Sequence, residues 1–347
     1  MVHVALLLGC AVVIYVASEW FVNAVEWLGV QLKVGPIAVG TVLAAVGTAL
    51  PESVVTLVAV LFGSPGAGDD IAVGAAMGGP LVVGTIAYAV TGGMLLLRRR
   101  RGRAFVGVGA DQAPNADEPV PLDGTDTARL ARDQTWFLAV FTVKVALGLV
   151  TFAIKPWLGL LFFVVYGVYT WRELRGDDDP ATAEGLEPLR LHRRATSPHA
   201  GAVIAQTLLS VVVVFGASQV FVHQLEWAGP ALGLPAAVVA LLLSPIATEL
   251  PEIMNAVIWV RQGKTPLALA NISGAMMIQA TVPSGIGLLF TPWRFDAPLL
   301  MAGLATMASV TYVLVLLRTG RVSPGRLLGA GGFYVAFALG VVVDRLG

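Results

Sequence analysis

Apolar residues fall in long runs along this chain, and windows of about 20 of them, the length that crosses a bilayer as a helix, mark ten segments. They lie at Val4 to Ala24, Pro36 to Phe62, Ile71 to Leu97, Trp136 to Ile154, Trp157 to Trp171, Ala202 to Gln224, Pro235 to Val260, Pro266 to Phe290, Ala297 to Leu317 and Leu327 to Val343. The second is long enough to tilt or bend, and the third is rich in glycine, which permits close helix packing. Two polar stretches interrupt the pattern. Arg98 to Thr135 carries Asp, Pro and Gly throughout and reads as a loop rather than a domain. Arg172 to Ala200, acidic at Asp177 to Asp179 and basic at Arg190, Arg193 and Arg194, separates two halves. The expected organisation is helices one to three over 1–97, a cytoplasmic linker over 98–135, helices four and five over 136–171, a second cytoplasmic linker over 172–200, and helices six to ten over 201–347.

The halves copy one another. Gly47-Thr48-Ala49-Leu50-Pro51-Glu52 returns as Ala247-Thr248-Glu249-Leu250-Pro251-Glu252, and Ser18, Phe21, Val22, Glu26, Trp27, Gly29 and Leu32 return 200 positions later without a gap. Five spans per half is an odd number, so the second half enters the membrane in the opposite direction to the first. The expected fold is an all-α membrane protein of ten transmembrane helices in two inverted-topology five-helix repeats. Such an architecture places sites near the bilayer midplane on interrupted helices and suits alternating access, which puts transport first among the functions.

Composition agrees with a membrane protein: 56% of the 347 residues are hydrophobic and 13% charged, with a mean hydropathy of +0.80. The 22 basic and 22 acidic residues balance, so net charge points to no nucleic-acid partner. Their placement is informative. With the N-terminus outside, Lys33, the Arg98 to Arg103 cluster, Arg129, Arg132, Arg172, Arg190, Arg261, Lys264, Arg318 and their neighbours fall on the cytoplasmic side, against Lys155, Arg294 and Arg345 on the other. The bias supports both termini outside. The start, Met1-Val2-His3, lacks a basic region and a small-residue cleavage site, so the first span is expected to be retained. A single cysteine, Cys10, excludes an intrachain disulfide and reads as a small apolar filler.

Candidate chemistry concentrates in the repeated motif. A proline in a helix leaves a carbonyl one turn earlier without its donor, here near Gly47 and Ala247. Glu52 and Glu252, those carbonyls and the hydroxyls of Thr48 and Thr248 form an all-oxygen set of the kind that calcium or sodium takes. His3, His192, His199 and His223 form no cluster. Glu249 and Glu252, three residues apart, are expected on one helical face. With Glu52 they would bring three carboxylates into one water-poor site, which gives proton exchange a physical route. Glu19, Glu26 and Glu226 are weaker candidates; Glu26 and Glu226 precede Trp27 and Trp227 as interfacial helix ends do. Lys144, in the middle of the fourth span, either neutralises a buried carboxylate or snorkels between helices.

The twin Thr-x-Leu-Pro-Glu segments, each followed by a small-residue helix, resemble the alpha repeats of the calcium/cation antiporter superfamily, which includes the sodium/calcium exchangers. The resemblance implies Glu52 and Glu252 as ion ligands with Thr48 and Thr248 beside them. The helices after the motifs depart from the family pattern of Asn, Ser and Asp. The third span reads Gly74-Ala75-Ala76-Met77-Gly78-Gly79-Pro80-Leu81-Val82-Val83, with every polar ligand gone, while the eighth retains Asn271 and places Gln279 at the last ligand position. The implied site is lopsided, with too few neutral oxygens for several sodium ions. The chain is therefore expected to be a secondary active antiporter in the plasma or inner membrane, with no permanently bound cofactor. Its expected partners are the lipid bilayer and the transported cations: calcium or another divalent ion against sodium or protons. A passive channel or ion-sensing protein on the same fold is the alternative. An intramembrane enzyme would need a nucleophile or histidine at a useful spacing, and none stands there.

Overall fold

The computed structural model describes residues 2–32, 45–105, 116–120, 122–174, 186–193 and 197–346, without the side chains of 45–48, 101–105, 174, 345 and 346. Its elements are helices: α1 (Val2–Gln31), α2 (Ala45–Phe62), α3 (Ala67–Val82), α4 (Tyr88–Phe105), α5 (Gly124–Leu149), α6 (Gly159–Leu174) and α7 (Ala200–Leu232), then α8 (Ala236–Thr248), α9 (Leu250–Arg261), α10 (Thr265–Phe290), α11 (Ala297–Arg318), α12 (Pro324–Gly329) and α13 (Gly331–Leu346). No strand occurs among the described residues. Each of the ten expected segments carries a helix where it is described. Among the described residues six helical spans, counting α3 with α4 and α12 with α13 as one each, are long and apolar enough to cross a membrane, or seven when α8 and α9, bent by 42° at their junction, count as one span.

Local sequence explains where the helices start and break. Asp123 and Asp296 accept the Asp126 and Leu299 backbone N–H groups at the starts of α5 and α11, satisfying donors that a first turn leaves open. Gly66, at φ +82°, makes the tight turn between α2 and α3 that a side chain would strain. A π-helical turn over Val83–Ala87 joins α3 to α4 directly after Pro80, where the missing proline N–H has already disturbed the ladder.

The packing is inside out by the standard of a water-soluble protein. Val2, Leu8, Val12, Leu208, Val212 and Val343 are all at least half exposed, an apolar mantle that only lipid covers at low cost. The chain is an integral membrane protein. α1 and α7 lie along each other at one side, burying Ile14 and Ala17 in one cluster with Val214, Phe221 and Leu225. Several residues matched by the 200-position copy are buried alike, Ser18 with Ser218, Phe21 with Phe221 and Glu52 with Glu252, while Trp27 is buried and Trp227 exposed.

α3 and α10 run through the interior, and α3 packs closely on α8. Glycine sets that distance. A Cβ at Gly74 would meet the Ala237 carbonyl, and one at Gly78 would stand 2.6 Å from the Leu241 carbonyl oxygen. Small residues four apart let two backbones touch without side chains between them.

Candidate functional site

Glu52, Glu249 and Glu252 are each completely buried, on α2, at the α8–α9 junction and in the first turn of α9. The two copies of the motif fold differently. Pro51 sits inside the continuous helix α2, whereas Pro251 opens α9 after a break centred on Glu249. The second half carries Pro245 six residues before Pro251, and the first has Ala45 in its place. Two missing N–H groups within seven residues break the ladder where one leaves the helix continuous.

That break corrects one expectation. Glu249 and Glu252 do not share one face of a continuous helix, because Glu249 is the hinge residue, ending α8 and leading into α9. Its carboxylate turns toward α10: Oε1 accepts the Thr248 hydroxyl at 2.7 Å, and Oε2 accepts the Gln279 amide at 2.5 Å. Thr248 and Gln279, both expected near the ion, are thus brought to Glu249 rather than to the other two acids.

Glu52 is placed differently. Neither of its carboxylate oxygens has a hydrogen-bond partner among the described residues, and the carboxylate lies against the bare Cα of Gly79 in α3, where a Cβ would fall on it. The charges of Glu249, Lys144 and Glu252 all act on it. Asn271, buried on α10, has both its amide nitrogen and its oxygen without a partner among the described residues. A buried polar group in that condition costs free energy unless a ligand or water meets it. Ser244 and Thr56 add buried hydroxyls of the same kind, one turn from Thr248 and from Glu52. Sequence reading missed both, although each stands four residues from a motif residue and so on its helical face.

The remaining expected ligands are backbone or undescribed. Ala247, buried in the last turn of α8, precedes Pro251 by four residues, so its carbonyl has no helical donor. Gly47 and Thr48 lie in the first turn of α2, and their side chains are outside the described residues. Among the described residues no three acidic, histidine or cysteine side chains stand together as a metal shell. The charges of Glu249 and Glu252 reach Glu52, while Glu249 is held by its own hydrogen bonds.

Two other expectations resolve through geometry. Lys144 does not snorkel; it is fully buried, with Nζ on the Ala76 and Gln279 carbonyls. Glu226, expected as an interfacial helix end, ties α7 to the α2–α3 turn by accepting the Ser64 backbone N–H at 2.5 Å and the Ser64 hydroxyl at 3.2 Å.

The chain as a whole is similar to known proteins. A family model described as sodium/calcium exchanger protein matches residues 2–174 and 202–343. The putative antiporter CaxA of Alkalimonas amylolytica is 26% identical over 320 residues, covering 91% of this chain and 89% of that protein. The inner membrane protein YrbG of Escherichia coli K12 is 25% identical over 349 residues, covering 96% and 95%. Among solved structures, the H+/Ca2+ exchanger CAX superposes with a TM-score of 0.75 at 17% identity over 99% of this chain and 86% of that one. The sodium-calcium exchanger NCX_Mj gives 0.62 at 14% identity over 96% and 97%. These similarities extend over both halves.

Proposed function

The chain belongs to the sodium/calcium exchanger protein family, a family of exchangers rather than enzymes, and on that premise we propose a secondary active antiporter that moves calcium, or another divalent cation, against protons or sodium. The proposed architecture is ten spans in two inverted five-helix repeats, with both termini on the outer side of a plasma or inner membrane. Glu52, Glu249 and Glu252 serve as shared ligands, occupied by one ion or the other but not by both at once. Thr48, Thr248, Asn271, Gln279 and the carbonyls of Gly47 and Ala247 supply the neutral oxygens.

One observation carries this reading: the Glu52 carboxylate is fully buried at a helix crossing with no hydrogen-bond partner among the described residues. A carboxylate in that position is costly as a structural element. It becomes favourable when a cation or a proton occupies it, and a site that must be occupied by one of two ions is the core of an exchanger. The Glu52 carboxylate lies directly on Gly79 of α3, and α3 offers no side-chain oxygen of its own at Gly74 to Val83. A hard divalent ion held mainly by carboxylates suits that set better than several sodium ions.

The test is cation uptake into liposomes carrying the purified protein, under an imposed proton gradient and an imposed sodium gradient in separate runs, for wild type, Glu52→Gln and Glu252→Gln. Calcium movement driven by one gradient and lost in both variants is the expected result. Flux that ignores both gradients would favour a passive channel instead.

A further inference from the structure

Lys144 lies in the last two turns of α5 and is fully buried, so its ammonium does not reach an interface along its own stem. Its Nζ donates to the Ala76 carbonyl of α3 at 2.6 Å and to the Gln279 carbonyl of α10 at 3.3 Å. The two acceptors share an origin. A helical carbonyl is ordinarily taken by the N–H four residues on, and the residues four on from Ala76 and Gln279 are Pro80 and Pro283. One proline on each of the two interior helices therefore strips one carbonyl of its donor, and a single ammonium takes both. The Phe141 and Trp293 rings lie 5.0 and 6.0 Å from Nζ, faces that attract a cation. Trp293 is itself fixed, its indole N–H donating to the Lys144 carbonyl at 3.2 Å.

Carbonyls released where membrane helices are interrupted are the ligands that secondary transporters offer to alkali cations. We propose that Lys144 is a tethered monovalent cation, whose ammonium fills a carbonyl site between α3 and α10 that a sodium-sized ion would otherwise take. This rests on the antiporter reading above and deepens it, because the lysine then sets how many mobile ions the site needs. Three buried carboxylates and one buried ammonium leave two negative charges, the charge of one divalent cation. The lysine charge acts on Glu52. The bare third-span helix also makes sense on this account: side-chain oxygens for a mobile sodium ion have no purpose where the cation is covalently attached.

The experiment is the melting temperature of the purified full-length protein, wild type and Lys144→Ala, in choline, sodium and methylammonium chloride, each with saturating calcium. With the tether removed, sodium or methylammonium should enter the vacated carbonyl site. The variant should then melt about 3 °C or more higher in those salts than in choline, while wild type melts alike in all three. Equal responses of the two proteins in every salt would overturn the proposal. Should Lys144→Ala not fold in choline, recovery of folded protein in sodium or methylammonium supports the tethered cation, and failure in every salt overturns it. A wild type that calcium does not stabilise counts against the calcium antiporter reading alone; the salt comparison, repeated without calcium, still decides the role of the lysine.

Discussion

The Glu52 carboxylate of α2 lies directly on the Cα of Gly79 in α3, and the contact leaves no room for even a methyl group. Gly79→Ala must therefore push the acid or the helix aside. Calcium uptake in liposomes should fall at least about tenfold, as shifts of about 1 Å at a preorganised site do. Gly93→Ala on α4, where the nearest atom to a new Cβ is 4.0 Å away, should leave uptake unchanged.

Gln279 holds Glu249 through a buried hydrogen bond to a carboxylate, a type worth about 1.5–3 kcal/mol. Gln279→Met keeps the volume and removes the donor. Calcium affinity, measured by titration of the purified protein, should weaken by roughly tenfold to a hundredfold, and an unchanged affinity would show that Glu249 is oriented by other contacts.

Glu173 at the end of α6 accepts from Arg129 at 2.5 Å and from Arg132 at 2.6 Å across the interface with α5. Glu173 is buried and the arginines partly so. Glu173→Gln leaves two guanidinium groups facing a neutral amide beside buried Asp133. It should cost about 2–4 kcal/mol in thermal or denaturant unfolding without altering which ion drives uptake.

Glu226 ties α7 to the α2–α3 turn through both Ser64 donors. Glu226→Ala frees the backbone N–H. Hydrogen–deuterium exchange over residues 63–66 should quicken by about tenfold, with exchange in the middle of α10 unaffected.

Trp293 is fully buried at a left-handed φ of 46°, with its ring where a Cβ of Gly287 would stand. The strain persists because both polar ends of the residue are used, the indole N–H by Lys144 and the carbonyl by Lys155. Trp293→Ala should destabilise the protein by about 3–5 kcal/mol in detergent unfolding through the cavity it leaves.

The burial of Glu52 and Glu252 was legible because the same six-residue pattern stands twice in apolar surroundings, and the family resemblance rested on the same residues. The break at Glu249 was not. Pro51 and Pro251 look alike in sequence, and only the combination with Pro245 ends the helix in one copy and not in the other. Lys144 was legible as a charge in a span, but its acceptors lie 68 and 135 positions away, and no local pattern links a lysine to two distant prolines. Lys155 shows the reverse. Counted as a loop charge in the sequence, it is buried and donates to the carbonyls of Leu147, Val150 and Trp293, closing the open end of α5 as a capping cation does.

The seam between α3 and α8 has a mechanical meaning. Where Gly74 and Gly78 bring two backbones into contact with Ala237 and Leu241, no flexible side chain lies between them to absorb a displacement. Sliding along such a seam lifts a neighbouring Cβ onto a carbonyl, while rocking about it does not. The helices that carry the bare third-span segment and the lead-in to Glu249 thus meet as one stiff pair, in which a displacement of either backbone is passed directly to the other.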